Sequence, residues 1–245
     1  MTLVGSRERK KQIYMKNSKK LLIGITITII IYLIAVTLGK KIHIDNDFFL
    51  ASFGTHTIMF TLSIMAIYLL RKEVNYKLKF PKISTIFKPF IIALITTILV
   101  NVITVGLTKI LGAKVDSHPI FEGSTGWQIL IFVFFYASIA EELLFRGFLL
   151  NYIGKYSSKG INIFNKKISY PVIISGFAFG LAHLILLFSN VNGLFVARIV
   201  IFTISLGIIA GYYQEKYDNN AYAIFVHMTG NLLGVIAAFA MNFAH

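Results

Sequence analysis

Glu141 and Glu142 stand side by side inside an apolar run long enough to cross a bilayer, and Arg146 follows one helical turn later. The run reads Phe134-Phe135-Tyr136-Ala137-Ser138-Ile139-Ala140-Glu141-Glu142-Leu143-Leu144-Phe145-Arg146. An ionised side chain in hydrocarbon costs at least about 2.5–3.5 kcal/mol, so such a cluster requires partners and points to a function. His183, His227 and Asn231 lie in two other apolar segments and can supply them. A carboxylate with an imidazole can hold and deprotonate a water. A second imidazole with a carboxamide can stabilise the oxyanion that forms at a scissile carbonyl. The set suits peptide hydrolysis, with Glu141 and His183 on the water and His227 and Asn231 on the oxyanion. Glu142 and Arg146 are spaced i,i+4 and can pair, which keeps Glu142 ionised and fixes the helix.

The elements that must position these groups are membrane spans. The chain has 245 residues, 56% of them hydrophobic, and a mean hydropathy of +0.74. Charged residues are 14%, against roughly 25% in soluble domains. Seven spans of about 20 apolar residues are expected at 21–39, 48–70, 89–108, 127–150, 170–189, 193–213 and 221–243. The second holds Thr55, His56 and Thr57; the fifth and sixth are separated only by Asn190-Val191-Asn192, which predicts a tight helical hairpin. The fold class is therefore all-α, a polytopic transmembrane bundle. Successive helices run in opposite directions. At 1.5 Å per residue Glu141 lies about 13 Å from the inner end of its span, His183 about 20 Å, and His227 and Asn231 roughly 9 and 15 Å. All four can share one layer in the inner half of the bilayer. His227 and Asn231 repeat the i,i+4 spacing, as do Phe179 and His183, while Gly176, Gly180, Gly230 and Gly234 permit close helix approach.

The net charge of +14 does not indicate nucleic acid, because the basic residues fall in short segments between apolar runs. With the N-terminus inside, the segments 1–20, 71–88, 151–169 and 214–220 carry 18 Lys and Arg, and the opposite side carries only Lys40, Lys41, Lys109 and Lys114. That asymmetry predicts a cytoplasmic N-terminus and, with seven spans, an external C-terminus. The expected domains are a basic cytoplasmic segment at 1–20 and one transmembrane domain at 21–245, with its catalytic core from about 127. The first span exceeds the length of a signal core and reads as an uncleaved anchor. Segment 71–88, basic and broken by Pro81, is either a loop or an interfacial helix. Without cysteine, a thiol nucleophile, a thiolate metal site and a disulfide are excluded.

Three motifs occur in order: Glu141-Glu142-Leu143-Leu144-Phe145-Arg146, Phe179-Gly180-Leu181-Ala182-His183 and His227-Met228-Thr229-Gly230-Asn231. They match EExxxR, FxxxH and HxxxN, and residues 127–231 thereby resemble the CAAX protease and bacteriocin-processing family of intramembrane endopeptidases. The resemblance implies a helical bundle, a glutamate-dependent site open to the cytoplasm and inner leaflet, and Glu141 as the catalytic glutamate. Glu142, Arg146 and Phe179 are supporting residues. The implied partners are a peptide or membrane-anchored protein substrate and the lipid bilayer, with no nucleic acid. The Ile-, Lys- and Asn-rich composition suggests a bacterial plasma membrane.

Other readings compete. The Glu141-Glu142-Arg146 cluster could be a structural ion pair, but two carboxylates against one guanidinium leave one unpaired. His183 could be a hydrogen-bonded packing residue, and His227 with Asn231 could be interhelical polar glue. Two His and a Glu are a possible zinc set. No His-Glu-x-x-His helix is present, and Asn231 suits an oxyanion better than a metal, so the expectation is no cofactor, with zinc as the alternative. A non-catalytic bacteriocin-immunity or adaptor protein could use the same cavity to sequester a partner. A proton-coupled transporter fits less well, as no inverted repeat is visible. His43, His56 and His118 read as structural or loop residues, and Arg198 as a snorkelling residue at the outer end of its helix.

Overall fold

The computed structural model describes residues 3–42, 44–116, 118–155, 159–163, 165–189 and 191–243, with side chains from 17 to 241. His43 and Asn190 of the expected hairpin turn lie outside the described residues.

Among the described residues, apolar runs bounded by turn residues form seven helices: α1 (Leu3–Gly39), α2 (Phe53–Leu69), α3 (Ile83–Ile110), α4 (Gly126–Gly154), α5 (Tyr170–Phe188, its last six residues 3₁₀), α6 (Gly193–Tyr217) and α7 (Asn220–Phe243). The polytopic helical bundle expected from sequence is what forms. Of these described helices six are long and apolar enough to cross a membrane; the stretch of α1 that does so is Asn17–Gly39, so the basic N-terminal residues continue the same helix. The exception is α2. Its 17 residues span only about 25 Å, and the expected span at 48–70 is shortened because residues 45–52 form bends and turns.

Two local structures go beyond the sequence reading, the first by settling segment 71–88 mainly as a loop. Residues 71–82 are an irregular connection, and helix begins at Ile83, after Pro81. This connection is strapped to the α6–α7 turn: the Asn219 side chain accepts from the Lys79 amide (3.0 Å) and donates to its carbonyl (2.8 Å), the Asn220 amide donates to the Lys77 carbonyl (2.8 Å), and Lys77 pairs with Asp218. The second is a hairpin inside the segment 151–169, for which the sequence reading named no structure, β1 (Gly160–Ile163) against antiparallel β2 (Lys166–Ser169). Ile161 and Ile163 alternate with polar residues, and Asn165 takes the left-handed φ of 60° that such a tight turn requires.

Helix α5 crosses α6 where glycines remove side chains. A methyl group on Gly207 would sit 3.1 Å from the Gly176 Cα and 2.5 Å from Arg146 Nη2. The close approach that small residues permit is thus used to bring α6 against the charged centre of the bundle. One apolar cluster fills the end of the bundle below that centre: Leu144, Phe145, Phe148, Leu149 and Tyr152 of α4 pack on Ile31 and Ala35 of α1, Met59 of α2 and Phe179 of α5, all at most 6% exposed.

Candidate active site

Helix α4 positions the two glutamates, and its winding is unusual. It starts at a capping box, in which the Thr125 hydroxyl accepts from the Gln128 amide while Gln128 Oε1 accepts from the Thr125 amide. The Gln128 carboxamide also donates to the carbonyls of Asp47 (2.7 Å) and Phe48 (3.1 Å), which ties down the α1–α2 connection. Ile129–Ala137 and Leu143–Leu150 are then wound as π-helix, with α-helical Ser138–Glu142 between them. The Ser138 hydroxyl donates to the carbonyl five residues back, Val133 (3.4 Å). Such wide turns rotate whatever follows and concentrate at functional sites. Here they flank the segment that carries both carboxylates.

The glutamates occupy different surroundings. Glu142 is fully buried: Oε1 accepts from Arg146 Nη1 (2.7 Å) and from His227 Nδ1 (2.9 Å). Arg146, also fully buried, lies over the Phe179 ring at 4.7 Å, a cation–π contact that serves the part of the guanidinium not held by Glu142. Glu141 instead faces a cavity, its side chain 18% exposed. Its Oε1 lies 3.4 Å from His56 Nε2 and its Oε2 3.7 Å from His227 Nε2. His227 therefore stands between the carboxylates, one ring nitrogen toward each.

His183 is oriented by its own helix. Its Nδ1 is 3.0 Å from the Phe179 carbonyl; a carbonyl only accepts, so Nδ1 carries the proton and Nε2 is left with a free lone pair. The Phe179 ring packs edge-on against both His183 (5.1 Å) and His227 (5.3 Å), spacing the imidazoles. On α1, the Tyr32 hydroxyl donates to the Ala182 carbonyl (2.6 Å) at the start of the final α5 turn. One turn beyond His227, the Asn231 amide donates to the Ser138 hydroxyl (3.1 Å). Its second N–H is aimed at the Val133 carbonyl only at 3.5 Å.

All of Glu141, His183, His227 and Asn231 line one cavity of about 600 Å³, together with His56. Its other walls include Val36 and Lys40 of α1, Ser52 and Thr55 at the start of α2, Asn101 of α3, His118 and Phe121 of the α3–α4 connection, and Ser189. These residues share one end of the bundle, the end at which α1, α3 and α5 finish. His118 sits at that end with its Nδ1 accepting from the Ile120 amide (3.1 Å). Burial pushes its imidazole down to about 4, so it stands neutral in the wall. Toward the other end the site is closed by the apolar cluster of α4. Among the described residues, no three His, Asp or Glu side chains converge as metal ligands do.

The sequence motifs thus meet in space, with Glu142 and Arg146 paired and Phe179 packed beneath. His183 shares the cavity with Glu141 but makes no direct hydrogen bond to it. Of the residues read as structural or loop, His118 lines the cavity wall and His56 stands beside Glu141. A signal for His56 exists in the sequence. It lies thirteen residues from the end of α2 at Leu69, the same number that separates Glu141 from Gly154, and polar threonines flank it in an otherwise apolar run. Arg198 is at the outer end of α6 as expected, with Nη1 on the Asp116 carbonyl (3.4 Å).

Residues 123–233 match the family model described as type II CAAX prenyl endopeptidase Rce1-like, and the resemblance carried by the three motifs is borne out over that stretch. No curated protein and no solved structure matches the chain.

Proposed function

The chain carries an Rce1-like CAAX endopeptidase domain in a multi-pass membrane bundle, and on that premise we propose that it hydrolyses peptide bonds with Glu141 as general base, without a metal. The observation that carries this reading is the contrast between neighbours: Glu142 is locked by Arg146 and His227, while Glu141 faces the cavity among three imidazoles. Water held between Glu141 and His183 Nε2 gives its proton to the Glu141 carboxylate as its oxygen attacks the carbonyl carbon. The carbonyl π bond becomes an oxyanion. His227 and Asn231, one turn apart on α7, donate to it. On collapse the C–N bond breaks, and the proton taken by Glu141 passes to the leaving amine.

Charge balance supports the part given to His227. Two carboxylates and one guanidinium leave a net negative charge in a largely buried site. A proton on His227 neutralises it, with Nδ1–H on Glu142 and Nε2–H directed to the Glu141 side, where the oxyanion forms. His56 holds the other oxygen of Glu141 and sets its direction. The substrate is a peptide or membrane-anchored polypeptide, since about 600 Å³ admits a few residues of extended chain rather than a folded domain.

The test is cleavage of a fluorogenic peptide library by the purified protein in nanodiscs, with wild type, Glu141→Gln and His183→Ala in parallel, each with and without chelator. Loss in both variants with retention in chelator is expected. Loss on chelation with recovery in zinc overturns the metal-free mechanism. Full activity of Glu141→Gln in cells, with no cleavage by any form, identifies a binding protein instead.

A further inference from the structure

The cavity and the charge distribution together give the site a side of the membrane. Lys40, Ser52, His118 and Ser189 lie at its mouth, at the end of the bundle where α1, α3 and α5 finish. Trp127, 64% exposed and edge-on to Phe239, marks the interface at that end. Of the 24 Lys and Arg, 18 lie at or beyond the opposite end, in the N-terminal segment, 71–88, the β-hairpin region and the α6–α7 turn. The structure keeps the seven-helix alternation on which that count depends: Gly39 packs against Thr55, Gly126 against Phe239, and Gly147 against Ile67.

Two expectations therefore cannot both hold. A cytoplasmic N-terminus and a site open to the cytoplasm are incompatible in a bundle whose mouth is at the far end from the N-terminus. The charge asymmetry decides the orientation because it acts on short loops beside span ends, which is what these segments are. The shortness of α2 explains the opening. His56, three residues into α2, is level with Glu141, which has fifteen residues of α4 on its outer side. Beyond His56 on that side α2 adds only Phe53, Gly54 and Thr55, and the turns of 45–52 take over.

Resting on the endopeptidase reading above, we infer that the active site opens to the extracytoplasmic face. Its substrate class is then exported or membrane-anchored polypeptides whose scissile segment is presented from the outer half of the bilayer. A peptide confined to the cytoplasm meets the sealed end instead, where Leu144, Phe148, Leu149 and Tyr152 are at most 2% exposed.

The absence of cysteine makes a direct test possible in the full chain. Ser189→Cys is exposed at the mouth and Lys216→Cys is exposed at the opposite end. Each single-cysteine protein is treated in intact cells with a membrane-impermeant maleimide, and again after permeabilisation, with denatured protein as the fully labelled reference. Labelling of Ser189→Cys in intact cells, with Lys216→Cys labelled only after permeabilisation, is the expected result. The reverse pattern overturns the orientation and leaves the protease reading untouched. A second arm supplies an impermeant fluorogenic peptide to sealed vesicles. Cleavage in right-side-out vesicles is expected, and cleavage confined to inside-out vesicles overturns the substrate class. Correct labelling with no cleavage in either orientation or in detergent removes the endopeptidase reading, and with it the substrate class, while the sidedness stands.

Discussion

The two ends of this bundle are built from the same residue types and packed to opposite results. Below the glutamates, Leu144, Phe148 and Leu149 are fully buried and close the bundle. Above them, Val36, Ile129 and Leu206 are equally apolar, yet they wall a cavity of about 600 Å³. The difference comes from α2, which stops three residues beyond His56 while its neighbours continue outward. Glu142 belongs to the sealed region and Glu141 to the open one. A turn of about 100° per residue along a helix is enough to divide them. A closed floor that fixes charge and an open cavity as its roof can thus be separated by one peptide bond.

The contrast breaks most visibly at the carboxylates. Glu141→Gln keeps size and hydrogen-bonding capacity but removes the base, so cleavage is expected to fall by about 10²–10⁴-fold. Thermal unfolding in detergent should stay close to wild type, because the carboxamide can still pair with His56 and the Glu141 side chain is the less buried of the two. A Glu141→Gln protein that cleaves normally would falsify the assignment of the base.

Arg146→Met probes the floor. It leaves the Glu142 carboxylate buried without its guanidinium, and breaking such a pair costs about 3–5 kcal/mol. A large fall in melting temperature is expected, with Glu142→Gln added in the same chain recovering part of it. If the melting temperature holds while activity alone disappears, the pair is catalytic rather than structural, and the division between floor and roof is wrong.

How much of this was legible in the sequence differs between the two regions. The floor was almost entirely visible. Ionisable residues in apolar spans have to find partners, and the i,i+4 spacing of Glu142 and Arg146 already names one. The glycines of α5 point to close helix crossing. The roof was less visible, for physical reasons. Whether a cavity opens depends on where α2 begins, and hydropathy does not distinguish apolar turns at 48–52 from apolar helix. The π-helical winding of α4 changes which residues face together, and Ile129–Ala137 shows no compositional mark of it. The hairpin at 160–169 was hidden because its strands are four residues each and lie in a basic segment. His227 was placed with Asn231 by spacing, but its bridge between both glutamates needs the rotation of α7 against α4.

His56 sharpens the comparison, since it is the one imidazole that α2 contributes to the roof. On the proposed mechanism its 3.4 Å contact gives it a positioning role toward Glu141. His56→Ala is expected to lower kcat by up to about 10²-fold, as misplacement of a catalytic group does, with KM little changed. His56→Gln, which can still donate to the carboxylate, should restore part of the rate. Equal losses in both variants, or a change confined to KM, would show that the imidazole acts on the substrate itself.

The smallest effect separates the walls from the floor at a single hydrogen bond. The Tyr32 hydroxyl on α1 donates to the Ala182 carbonyl, just where α5 tightens into its last turn and presents His183. That carbonyl stands where the α-helical winding of α5 gives way to 3₁₀ at His183. Tyr32→Phe removes the donor without opening a void, so the stability change is about 1 kcal/mol. If α1 merely packs against α5, the rate will follow wild type once the folded fraction is corrected for. If the bond sets the direction of His183, kcat will fall modestly in protein that is fully folded. The second outcome is expected, because His183 is held on its own helix only through Nδ1, and a shift of Ala182 moves the backbone from which its ring projects.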